Sequence, residues 1–97
     1  MNEADIALEE TETRGRVVYQ QPGMGEAELT FAKEGEDVLV LDHTEVPENY
    51  RGQGIALKLL KHIVAHARTS GKKINPVCPY AATQFLQHPD WDDVRAR

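Results

Sequence analysis

Apolar and polar positions along the chain follow two different periods. In Ala27–Lys33, "AELTFAK", Ala27, Leu29 and Phe31 alternate with Glu28, Thr30 and Ala32. A period of two places one face of a strand against a core. Arg14–Gln20, "RGRVVYQ", has a β-branched and aromatic centre and predicts a strand before it. Between them, Gln21–Gly25, "QPGMG", is turn chemistry. Glu34–Asp37, "EGED", predicts a hairpin turn in which Gly35 is free to take positive φ. Val38–Val46 begins apolar on both faces, which predicts a central strand covered on both sides and ended by Pro47.

The period then changes. Ala56, Leu59, Leu60, Ile63, Val64 and Ala67 recur at spacings of three and four, the mark of an amphipathic helix of about four turns. Gly71 suits its C′ position, and Lys72 and Lys73 suit the negative end of its dipole. Ile74–Cys78 predicts a short strand. Pro79 is a favourable first residue for a second helix over Tyr80–Gln87, and Pro89 breaks it. Residues 1–12 are expected to be partly disordered, although Ile6 and Leu8 allow a strand to begin there. The order β-β-β-α-β-α predicts an α/β (α+β) fold with a mixed sheet of about four strands. A length of 97 residues predicts a single domain spanning 1–97.

Charge adds a division that the pattern does not show. Residues 1–48 carry 13 acids and 3 bases, whereas residues 49–89 carry 6 bases and no acid. Such a segment is either a solvated helix face or the holder of an anionic ligand, the acidic half then suiting a cationic acceptor. Nucleic acid is disfavoured, because the remaining surface is acidic and aromatic and basic residues do not interleave. One cysteine excludes an internal disulfide. The start lacks the signature of a signal peptide, and no apolar run reaches the length of a membrane span. A cytoplasmic location without membrane association is therefore expected. His62 and His66, four apart, are expected to be exposed helix residues, and no metal site is expected.

Arg51–Ala56, "RGQGIA", joins the third predicted strand to the main helix. Helix N-termini present unpaired amides and a positive dipole end, so two glycines there open a cradle for phosphate or simply supply a turn of unusual φ. Lys-Ser and Lys-Thr are absent after the glycines, which excludes a P-loop, and the third glycine of a dinucleotide fingerprint is missing.

"VPENYRGQGIA" resembles the acyl-coenzyme A loop of GNAT-type N-acetyltransferases, whose Gln/Arg-x-x-Gly-x-Gly/Ala pattern falls on Arg51, Gly52, Gln53, Gly54, Ile55 and Ala56. With "INPVCPYA" and "HPDWDDVRA", the chain resembles minimal, single-domain members of that superfamily from about Arg14 onward. The resemblance implies that these loop residues hold the coenzyme A pyrophosphate and that the strand ending at Val46 pairs with the pantetheine arm. Full-length relatives place two helices between their first two strands. Here "QPGMG" stands in that place, so an open acceptor pocket is implied. Tyr80 lies near the position of a tyrosine acid often found in the superfamily.

Acyl transfer from a thioester to an amine needs a deprotonated amine and a proton for the departing thiolate, and it can proceed through an acyl-enzyme. Cys78 is placed for either role, since Pro79 sets it beside a helix N-terminus at the end of a strand. A small packed residue is the other reading. If the two strands are parallel neighbours, His43 lies near the same sheet edge. By alternation it shares a face with Leu39, Leu41 and Glu45. It is either a partner for Cys78 or a histidine packed at the strand end. Glu45 is a second candidate base, acting through water, or is simply solvated.

The expected activity is acyl-coenzyme A-dependent N-acylation, with acetyl-coenzyme A as donor and an unidentified amine, on a small molecule or a protein lysine or N-terminus, as acceptor, in a monomer or homodimer. The alternative is a non-catalytic coenzyme A-binding module that acts as a sensor or partner subunit.

Overall fold

The computed structural model describes residues 5–96. Strands β1 (Ile6–Glu10), β2 (Arg14–Tyr19), β3 (Ala27–Glu34) and β4 (Val38–Glu45) come first. Helix α1 (Ile55–Ser70), strand β5 (Lys73–Pro76) and helix α2 (Pro79–Gln87) follow. Among the described residues the strands form one five-stranded sheet in the order β1-β2-β3-β4-β5. The first four are antiparallel, and β5 joins β4 in parallel after the α1 crossover.

The extra strand is β1. It realises the start that Ile6 and Leu8 allow, within a stretch otherwise expected to be partly disordered. Ile6 and Leu8 lie opposite Tyr19 and Val17 and pack on the core. Residues 1–4 of that stretch lie outside the described residues.

The alternation in β3 holds throughout: Ala27, Leu29 and Phe31 are fully buried. The Phe31 ring lies across the backbone of Gly15, its partner on β2, where an added Cβ would sit 2.3 Å from the ring. Only glycine admits this contact. Gly35 takes the expected positive φ of 63° in the β3–β4 turn.

Helix α1 buries Ile55, Leu59, Leu60, Ile63, Val64 and Ala67, with Ile55 taking the place predicted for Ala56. Gly71 ends the helix in the left-handed region, at φ 72°, and its N–H returns to the Ala67 carbonyl. His62 and His66 are half-buried rather than exposed. Pro79 opens α2 as its first residue, with Cys78 as N-cap.

One core cluster holds Leu39 and Leu41 of β4, the apolar stripe of α1, and Ala81 and Phe85 of α2. The expectation of a doubly covered β4 fails on this point. Val38 and Val40 point the other way and are only half-buried, and Asn75 beside Val40 is exposed.

Residues 89–94 form a 3-10 segment that closes the core with Trp91, which meets the Phe85 ring edge-on at 5.1 Å. Both Arg68 nitrogens facing Asp93 bond its carboxylate at 2.8 Å, tying the segment to α1. Arg68 holds the Asp93 carboxyl below its ordinary range.

Candidate functional site

The β4–β5 ladder ends early. Leu41 pairs with Pro76, which has no N–H to carry it on. The Val77 N–H turns back to the Asn75 carbonyl at 3.1 Å, and the Cys78 N–H makes the last link, 2.8 Å to the Leu41 carbonyl. From Asp42 to Glu45, β4 has β3 on one side and, among the described residues, no strand on the other. That free edge leads through Val46 and Pro47 into the loop before α1.

The loop begins with a 3-10 turn, Glu48–Tyr50, whose Tyr50 is buried. The Tyr50 hydroxyl accepts a 2.9 Å hydrogen bond from the Gln21 N–H, and its ring meets Tyr19 edge-on at 5.6 Å. The β2–β3 turn thus braces the base of the glycine loop. Gln21 also reaches Gln53, at 3.4 Å. Gly52 and Gly54 take φ of 83° and 69°, with nothing within 4 Å of where a Cβ would stand. No side chain caps α1, and its first turn contains no acid. The amides of Ile55, Ala56 and Leu57 therefore start a helix with no internal acceptor and no competing carboxylate. This fits an anion that needs close backbone approach.

Arg51 is exposed and pairs with Glu48 at 3.4 Å. Val46 lies just past the end of β4 and packs, half-buried, on the core. Cys78 forms the opposite lip of the split and is 6% exposed. Its Sγ lies 3.5 Å from Thr44 Oγ1. Tyr80, two residues into α2, is half-buried against the core. Burial, and then the nearby Cys78, raise its phenol above the ordinary value of 10.0.

His43 is placed differently from its expectation. The β3–β4 register shifts between Thr30 and Phe31, so Phe31 faces Leu41 while Thr30 faces His43, and Asp42 is the extra residue of a β-bulge. A slip of one residue exchanges faces. His43 therefore lies opposite Thr30, exposed, and no longer shares the face of Leu39 and Leu41. Thr44, opposite Leu29, takes the inward place and meets Cys78. Glu45 follows His43 outward, exposed, in register with Glu28. Glu28 shares Arg16 with Glu9 and Glu26, and these three carboxylates hold the guanidinium firmly charged.

Asp42, Thr44, Tyr50 and Gln21 escape the sequence reading. Tyr50 had a weak signal, a lone aromatic in the polar stretch "ENYRGQG". The bulge carries no glycine or proline to mark it.

The chain matches the family model for the GCN5-related N-acetyl-transferase over residues 16–94. Its fold is similar to the solution structure of a GCN5-like proposed N-acetyltransferase from Staphylococcus aureus. The TM-score is 0.69 at 27% identity, covering 96% of this chain and 90% of that one. No curated protein matches the sequence significantly. No helix among the described residues is long and apolar enough to cross a membrane.

Proposed function

Because the chain belongs to the GCN5-related N-acetyltransferase family, we propose that it transfers an acyl group, acetyl first among them, from acyl-coenzyme A to an amine. One observation carries the reading. The unpaired β4 edge from Asp42 to Glu45 runs directly into an uncapped, glycine-flanked helix N-terminus, with a cysteine on the facing lip.

The loop of Arg51, Gly52, Gln53, Gly54, Ile55 and Ala56 would hold the pyrophosphate through its amides. The edge up to Val46 would pair with the amide groups of the pantetheine arm. An extended, amide-bearing arm ending in a diphosphate matches a strand edge ending in a helix N-terminus. The thioester would then lie near Cys78.

In direct transfer, the amine nitrogen forms its bond to the acyl carbon as the carbon–sulfur bond breaks. Tyr80 gives the departing thiolate a proton, and the amine loses its own to His43 or Glu45. Both of these are exposed on the outward face of β4, so an acceptor approaching from that face would meet them first. Cys78 either lines this path or takes the acyl group before the amine does.

With β1 in the sheet, "QPGMG" joins the second and third strands, and the first two are joined by residues 11–13; that short connection favours a second reading. Without acceptor-binding helices there, the domain would bind coenzyme A without turnover.

Incubation with acetyl-coenzyme A across amines and lysine peptides separates the two readings, with free thiol as readout. Turnover on any acceptor supports transfer. Saturable binding without turnover on the whole panel supports the module. No binding removes both. Intact mass after acetyl-coenzyme A alone decides the role of Cys78: an acetyl adduct present in the wild type and absent in Cys78→Ala establishes the covalent route.

A further inference from the structure

Period-two alternation from Leu39 and Leu41 would bring a histidine to Cys78. The bulge brings a hydroxyl instead. It is clamped on the sheet's outward face, where Asp42 Oδ1 accepts from Thr30 Oγ1 at 2.6 Å and Oδ2 accepts from Arg14 at 2.8 Å. With Asp42 held there, Thr44 must turn inward. Its cross-strand partner on that face is Leu29, which is fully buried. An apolar side chain would satisfy such a slot as well as threonine does, yet a hydroxyl sits there 3.5 Å from the sulfur.

The Cys78 backbone is already fixed by its N–H bond to Leu41. What remains free is the sulfur's own rotamer, and the Thr44 hydroxyl is 3.5 Å from the sulfur. When the thiol is ionised it has no proton to give, so the hydroxyl must be the donor. Cys78 is buried and Thr44 half-buried, and a hydrogen bond to a charged group counts for more than a neutral one.

We infer that Thr44 is a positioning residue for Cys78, its hydroxyl donating to the sulfur and aiming it into the β4–β5 split. For its meaning in catalysis the inference rests on the acyl-transfer reading, but the contact itself needs no ligand. The bulge makes the thiol's partner a neutral hydroxyl rather than an imidazole.

The test is the second-order rate of alkylation of the unliganded protein by iodoacetamide at fixed pH. Loss of one hydrogen bond to a thiolate lowers the thiolate fraction more than it raises each thiolate's nucleophilicity, which predicts a rate about 3- to 10-fold lower in Thr44→Val. Thr44→Ser, which keeps the hydroxyl, should stay within about 2-fold of wild type on the same argument. Thr44→Ala repeats the hydroxyl loss with less bulk, so the result does not depend on the valine variant folding. Thermal melts and amide spectra identify the folded variants. A valine or alanine variant that reacts as fast as wild type, or faster, overturns the inference. So does a folded serine variant as slow as valine. Where turnover runs through an acetyl adduct on Cys78, Thr44→Val should lower kcat. A wild type that does not bind coenzyme A would remove the proposed function while the alkylation rates still decide the role of Thr44.

Discussion

From Val38 to Leu41, β4 is paired on both sides, antiparallel to β3 and parallel to β5, and its side chains alternate as the sequence pattern dictates. From Asp42 to Glu45 it is paired on one side only, and a bulge has shifted its faces. The first half puts Leu39 and Leu41 into the core. The second half buries little and instead leaves a strand edge unpaired beside a cysteine. The difference shows how one strand divides its work. The half that obeys the period fills the core, and the proposed coenzyme A site runs along the half that breaks it.

The sharpest way to break this division is to damage each half in turn. Leu39→Ala removes a buried leucine side chain and should cost about 2–5 kcal/mol of unfolding free energy. Coenzyme A affinity, measured where the variant is folded, should stay within about 3-fold of wild type, a difference of under 1 kcal/mol. Denaturant unfolding and calorimetric titration check both arms.

Gly54→Glu is the converse. It sets a carboxylate at the helix N-terminus, where like charge against a diphosphate costs several kcal/mol, so affinity should fall by about 100-fold or more. The left-handed backbone at φ 69° adds a stability loss of about 1–2 kcal/mol, smaller than that of Leu39→Ala.

The smallest effect concerns the clamp on the bulge. Burial alone would raise the Asp42 carboxyl, but the Thr30 and Arg14 hydrogen bonds outweigh it and hold the group below its ordinary 3.8. A depressed carboxylate stabilises the fold above its unfolded pKa, and that contribution is lost as the pH falls through the lower folded value. Arg14 and Asp42 are 52% and 34% exposed, so Arg14→Ala should cost less than about 1 kcal/mol at neutral pH. The gap between variant and wild type should close once the pH falls below the depressed Asp42 value. Urea unfolding at both pH values measures it.

The same division governs how much could be read in advance. Spacings of three and four gave α1 its buried stripe, Gly71 marked its end, and Pro79 fixed the start of α2 with Cys78 at its cap. These are local signals, and local geometry obeys them. The glycine loop was legible for the same reason, since positive φ at Gly52 and Gly54 is a property of those residues.

What was missed depends on partners far along the chain. The bulge arises where Asp42 finds Thr30 and Arg14, 12 and 28 residues away, and nothing in "LDHTEV" announces it. A single unrecognised residue then exchanged His43 for Thr44 at the thiol. The covering of β4 failed similarly: apolar residues on both faces suggested two layers, but α1 and α2 pack into the same core. β1 was obscured by its composition, for Ile6 and Leu8 are followed by two glutamates on an edge strand.

The central claim is that the second half of β4 and the glycine loop together form one coenzyme A site. Amide shift mapping during titration of labelled protein with coenzyme A tests it most directly. The account predicts saturable shifts concentrated in residues 42–46 and 51–57 and at Cys78, with β1 and residues 38–40 of β4 nearly unmoved. Shifts that do not saturate, or that gather on β1 or the opposite end of the sheet, would contradict it.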